Sequence, residues 1–100
     1  MKNFDYLKEI PALSRLYSFC SAAEDGLYSD PVTSAINSRR ALENLVEVTA
    51  YLKNIDFAHR ANLLTKLKDE DFVDFIDDEG TLSAMHYVRM AANVAVHQNR

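Results

Sequence analysis

The stretch RMAANVAVH, residues 89 to 97, contains polar side chains capable of chemistry. Arg89, Asn93 and His97 follow one another at intervals of four residues. In an α-helix, positions four apart lie along one side, so the spacing predicts a polar stripe. The imidazole of a histidine, with an ordinary pKa of about 6.5, exchanges protons at neutral pH. The guanidinium of an arginine stabilises negative charge on a phosphate. The stripe is therefore a catalytic site, a solvated face, or a set of polar contacts that holds two helices together inside the protein, which is called a brace below.

A charged pair occurs earlier, on another predicted helix. Arg39 falls within the apolar stripe of that helix, and Glu43 is close enough in sequence to form an ion pair on the same face. Alternatively, Arg39 lies at the edge of the stripe and extends its guanidinium group into water. The stripe contains Val32, Ala35, Ile36, Leu42, Leu45, Val46 and Leu52.

These two groups of polar residues are candidates for one cluster. If the two helices pack together, Arg39, Glu43, Arg89, Asn93 and His97 can satisfy each other's hydrogen bonds and set the register of packing. We expect this brace, with no catalytic residue in the chain. A small-molecule or nucleotide sensor that uses the stripe as its pocket is a further alternative.

The composition and the apolar periodicity along the chain predict an all-α domain of four or five helices arranged as a bundle. The chain has 100 residues, 48% of them hydrophobic, with two Gly and two Pro, which suits one packed helical core over residues 1–100. The first helix is expected over residues 11–25, with Gly26 ending it in a left-handed conformation. The second begins at Pro31, with Asp30 as its cap.

In the second half of the chain, the apolar pattern predicts shorter helices followed by a long one. A helix through Leu63, Leu64 and Leu67 is followed by an acidic turn or helix that Phe72, Phe75 and Ile76 fix to the core. The final helix is expected to start near Thr81. Its apolar side carries Met85, Val88, Ala92, Ala95 and Val96.

Metal binding is not expected. Residues 69–79 contain seven acids and no base, but their spacing does not match an EF-hand loop, and most such runs are solvated. His86 lies on the same side as Asn93 and His97, yet two histidines without a third ligand are poor evidence for zinc. His59, beside Arg60, is expected to be exposed.

Charge and cysteine content indicate a cytoplasmic protein. A formal charge of -4 gives no general attraction to nucleic acid. The single Cys20 cannot form an internal disulfide and is expected in the core. The start MKNFDYLKEIPALSRLYSF lacks the pattern of a signal peptide, and no apolar segment approaches the roughly 20 residues that span a bilayer.

Three segments together resemble a known family over nearly the whole chain: FDYLKEIPALSRLYSFCSAAEDGLYSDPVTSAI, RRALENLV and LSAMHYVRMAANVAVH. They are similar to the HEPN-like helical domain at the N-terminus of the R subunit of type I restriction-modification enzymes, which act in phage defence. The most specific parts are Y-S-D-P, the Arg39 to Glu43 spacing, and the Arg, Asn and His series.

The resemblance implies a parent protein that is an ATP-dependent, site-specific deoxyribonuclease and DNA translocase using ATP and Mg²⁺. No phosphate-binding glycine loop occurs here, so those activities and DNA binding would belong to the rest of the parent. Related domains continue with another helix after the closing His. We therefore expect an N-terminal fragment with no cofactor of its own, whose partners are other restriction-modification subunits or domains of the parent, or a second copy in a homodimer.

The resemblance also implies an alternative, a metal-independent ribonuclease of a toxin-antitoxin or abortive-infection system. Catalytic HEPN proteins place an Arg four to six residues before the His, in a dimer. Here Arg89 lies eight positions before His97, with seven residues between them, and Ala92 stands where those families often have Arg. The motif is incomplete, which favours the brace.

Overall fold

The computed structural model describes residues 3–98, and every regular element in that range is helical. The elements are two short 3-10 helices, Asp5–Glu9 and Pro11–Leu13, and five α-helices: α1 (Ser14–Asp25), α2 (Pro31–Lys53), α3 (Leu63–Leu67), α4 (Glu70–Ile76) and α5 (Glu79–Gln98). The prediction of an all-α bundle with four or five helices is confirmed. Residues 1, 2, 99 and 100 lie outside the described range.

Side-chain caps explain where several helices begin. Asp30 Oδ1 accepts a hydrogen bond of 3.2 Å from the amide of Thr33. Asp69 Oδ1 accepts one of 3.0 Å from the amide of Phe72, at the start of α4. Asp78 caps α5, so that helix begins at Glu79, two residues before the predicted start. Each cap satisfies an amide that has no partner within its helix.

The predicted end of the first helix at Asp25 is confirmed, with Gly26 at its C-cap, but the predicted left-handed conformation of Gly26 is wrong. Gly26 has φ -90° and ψ 0°, which is right-handed. Its amide donates to the carbonyl of Ala22 at 3.1 Å, and its own carbonyl accepts from the amide of Asp30 at 2.9 Å. The chain therefore turns directly from α1 into α2 without a left-handed residue. The first α-helix also begins later than predicted, at Ser14, because Pro11–Leu13 form a 3-10 turn.

Helix α2 is the central element, because apolar clusters lie on two of its sides. One cluster joins α2 to α3, α4 and α5 through Leu42, Val46, Leu63, Leu67, Phe72 and Met85. The other joins α2 to α1 and the first 3-10 helix through Leu7, Leu16 and Ala41. Leu45 packs against both clusters. Through this arrangement α2 and α5 lie side by side, as the brace requires.

Some residues predicted to be apolar contacts lie at the margin of the core. Leu52 is 66% exposed at the end of α2, where no described helix covers it. Phe75 is 47% exposed, and the Lys53 ammonium lies 5.0 Å from its ring centre. Val96 is 40% exposed near the end of α5. Cys20 is half-buried, and burial, followed by the charge of Glu24, raises the pKa of its thiol.

Candidate functional site

Arg39 joins α2 to α5. Its Nη1 donates a hydrogen bond of 2.6 Å to Asn93 Oδ1, between positions far apart in sequence. Its Nε lies 3.6 Å from Glu43 Oε1, one helical turn along α2. The Arg39 side chain is 35% exposed and the Glu43 side chain 48%. Both interpretations of Arg39 therefore hold in part, since it forms the ion pair and also lies at the edge of the stripe.

Arg89 and His97 are not joined to these three residues. Arg89 is half-buried, and its Nε is buried with no hydrogen-bond partner. His97 is exposed and makes no hydrogen bond or ion pair within the described part of the chain. An α-helix advances by about 100° per residue, so His97 is rotated by about 80° from Arg89. The stripe thus winds from the side facing α2 towards solvent.

A small cavity of about 170 Å³ lies beside the ion pair. Arg39 and Lys66 supply cations to its wall, and Glu43, Glu47 and Asn62 supply oxygen acceptors. Pockets that hold drug-sized ligands measure about 300–1,000 Å³, so this space suits a few water molecules better than a nucleotide. Its lining does not include Arg89, Asn93 or His97, so this cavity is not the pocket that the sensor alternative predicts.

Two aspartates of the acidic segment, residues 69–79, cap the starts of helices. Asp69 and Asp78 are N-caps, and the hydroxyl and amide of Thr81 lower the pKa of Asp78 below its ordinary value of 3.8. His59 is exposed, as predicted, and His86 is half-buried. Among residues 3–98, no group of three or more His, Cys, Asp or Glu side chains is placed to hold a metal ion.

A buried hydroxyl joins α1 to α2, and sequence reasoning missed it. Ser34 is 5% exposed, and its Oγ donates a hydrogen bond of 2.5 Å to the carbonyl of Ala23. The available signal was the run of small residues at the end of α1, which permits close approach of the two helices. Ser34 orients α1 on α2 as Arg39 orients α5.

The outer side of α5 is the other feature that sequence reasoning missed. Tyr87 is 72% exposed. Met90 and Val94 are 53% and 55% exposed on the same side. The signal in the sequence was that apolar residues recur on both sides of α5. The core covers one side, so the other side stays exposed.

Within the described residues, no helix has the length and apolar character needed to cross a bilayer. Comparison with known proteins gives no family model, curated protein or solved structure that matches this chain.

Proposed function

We propose that this chain is a non-catalytic helical interaction domain, of the kind found at the N-terminus of type I restriction R subunits. The observation that supports this proposal is the pairing of Arg39 with Asn93 across α2 and α5, with Glu43 alongside. A guanidinium held between an amide oxygen and a carboxylate acts as a connector between helices. Two of its three nitrogens, Nη1 and Nε, are engaged in this way.

The positions of Arg89 and His97 agree with a non-catalytic role. General acid-base chemistry beside a phosphate needs the imidazole and the guanidinium to converge on the same reacting group. His97 lies two turns beyond Arg89 and faces solvent, whereas the Nε of Arg89 is buried. Arg89 and His97 therefore do not form a convergent pair within one copy of the chain.

A protein partner suits the surface better than DNA does. The formal charge is -4, and all acidic residues lie at or before Glu79. Large apolar side chains are exposed at several places, including Tyr28 at 95% and Tyr51 at 83%. In this proposal the domain orients the nuclease and translocase regions of a cytoplasmic parent within the restriction complex. ATP, Mg²⁺ and DNA are bound by the parent's other domains.

The gene that encodes this chain tests the proposal directly. We expect the reading frame to continue into an ATP-dependent translocase with a GxxxxGK phosphate loop. We also expect the full-length product to copurify with the methylation and specificity subunits encoded beside it, and removal of residues 1–100 to weaken that association. A stop codon beside an antitoxin gene would contradict the proposal.

The alternative function is a metal-independent ribonuclease, and the exposed imidazole of His97 is the observation that favours it. Purified protein incubated with RNA in the presence of a chelator is expected to show no cleavage. His59→Ala is a matched control because His59 is also exposed but belongs to the segment between α2 and α3. Cleavage that His97→Ala abolishes and His59→Ala preserves would replace the proposed function by the ribonuclease.

A further inference from the structure

A cavity of about 270 Å³ lies between α1 and α2. Arg15 and Phe19 form its wall on α1, and four polar residues form it on α2: Arg40, Glu43, Asn44 and Glu47. No described residue of α5 lines it, so it is separate from the polar stripe at residues 89–97. Pockets for drug-sized ligands measure about 300–1,000 Å³, so this space suits a smaller molecule. It is called the α1–α2 cavity below.

Three charged side chains in the wall of the α1–α2 cavity have no partner. The guanidinium groups of Arg15 and Arg40 and the carboxylate of Glu47 form no hydrogen bond or ion pair within residues 3–98. Glu43 differs, because its Oε1 lies 3.6 Å from Arg39 Nε. Charges of both signs therefore face one space without contacting each other. Two arginines and two glutamates leave the wall with no net formal charge, so a ligand that carries both signs suits it better than a phosphate.

The groups that α2 presents to the cavity follow a fixed order. Arg40, Asn44 and Glu47 are spaced by four and then three residues, so they lie on one side of the helix. Arg40 and Glu47 are about 10 Å apart along the helix axis. Between them, Asn44 Oδ1 is buried with no hydrogen-bond partner within the described residues. Rotation about the last torsion of Asn44 turns this oxygen to the cavity. The wall thus offers a cation, an amide acceptor and an anion in turn.

We propose that the α1–α2 cavity binds a dipeptide with free termini. Arg15 and Arg40 donate hydrogen bonds to its carboxylate, Asn44 Oδ1 accepts from its peptide N–H, and Glu47 accepts from its ammonium group. The terminal nitrogen and the carboxylate carbon of an extended dipeptide are about 6–7 Å apart. A hydrogen bond of about 2.9 Å at each end gives a span of about 12 Å, which suits the spacing of Arg40 and Glu47. A single amino acid lacks the peptide N–H, and a longer extended peptide places its termini too far apart.

Apolar surface beside the cavity selects the side chains of the dipeptide. A second cavity, of about 450 Å³, shares Asn44 and Glu47 with the α1–α2 cavity, and its wall includes Leu13 and Val48. The half-buried ring of Phe19 adds further apolar surface. Burial of an apolar side chain here is favourable, whereas an acidic side chain would be repelled by the glutamates. Alanyl-leucine is therefore expected to bind and aspartyl-glutamate is not.

Titration with alanyl-leucine, followed in two-dimensional amide NMR spectra of the labelled chain, tests the proposal. We expect shifts at the wall residues of α1 and α2, including Phe19 and Asn44. N-acetyl-alanyl-leucine lacks the ammonium group and alanyl-leucinamide lacks the carboxylate. Each should bind at least about tenfold more weakly, because each loses a charge-assisted hydrogen bond. Absence of shifts at the wall, or equal binding of either blocked form, would overturn the proposal.

Two substitutions test the assignment of the termini. Arg40→Gln and Glu47→Gln should each weaken the binding of alanyl-leucine by at least about tenfold. Arg60→Gln is the matched control, since Arg60 is exposed in the segment between α2 and α3, and it should bind as the wild type does. Circular dichroism verifies that each variant is folded. Equal loss in Arg40→Gln and Arg60→Gln would refute the site. Dipeptide binding does not depend on the proposed function, so either can fail while the other stands.

Discussion

Arg39 and Asn93 are joined by a hydrogen bond of 2.6 Å that fixes α5 against α2 at one register. The donor is a charged guanidinium, and hydrogen bonds of this kind are stronger than those between neutral groups. Both side chains are half-buried, so water competes with the bond only in part. Apolar packing brings the helices together, and this polar contact selects which residues face each other.

Replacing Asn93 tests that contact. Asn93→Leu removes the acceptor and leaves the Arg39 guanidinium beside an apolar group. We expect a loss of about 1–2 kcal/mol in the free energy of unfolding, measured by urea denaturation. Asn93→Asp keeps an oxygen acceptor and should lose less. If Asn93→Leu is as stable as the wild type, the hydrogen bond does not contribute to packing.

The ion pair between Arg39 and Glu43 should matter less than the hydrogen bond. With these side chains 35% and 48% exposed, solvent screens the charges. Glu43→Ala should therefore cost under about 1 kcal/mol in urea denaturation. Glu47→Ala, one turn further along α2, is the matched control and should be close to neutral. A cost of about 3 kcal/mol for Glu43→Ala would indicate a buried pair.

Two phenylalanines of α4 provide a contrast in burial. Phe72 is 0% exposed and its ring centre lies 6.4 Å from that of Phe57, whereas Phe75 is 47% exposed. Phe72→Ala should lower the free energy of unfolding by about 3–5 kcal/mol, because it leaves a cavity in the core. Phe75→Ala should cost about 1 kcal/mol or less, through the lost contact with Lys53. Thermal and urea unfolding of the pair measure the difference, and equal costs would contradict the placement of α4.

Asp78 makes stability depend on pH in the acid range. The Thr81 hydroxyl and amide hold the pKa of Asp78 in the folded chain below its ordinary value of 3.8. Its stabilising contribution is therefore fully present above the unfolded pKa and is lost as the pH falls through the folded pKa. Asp78→Asn keeps a capping oxygen and removes the titration. Urea midpoints below pH 4 should fall less steeply for Asp78→Asn than for the wild type, and parallel curves would exclude this contribution.

Much of the fold follows from local patterns in the sequence. Pro31 behind the Asp30 cap predicts the start of α2, and apolar periodicity predicts the inner side of α5 at Met85 and Ala92. Such features depend on residues within a few positions of each other, because caps and helix faces are local. The turn at Gly26 was not predictable in the same way. Its conformation depends on where α2 begins, through the bond from the amide of Asp30.

The sequence by itself determined that Arg89, Asn93 and His97 recur along one helix and that Arg39 and Glu43 recur along another. Only the tertiary structure decided that Asn93 meets Arg39 while His97 faces solvent. The physical reason is that helical spacing defines direction around one axis, whereas contact between helices depends on their crossing and on packing over the whole core. The exposure of Tyr87 was decided in the same way, because α5 is apolar on both sides and α2 covers only one of them.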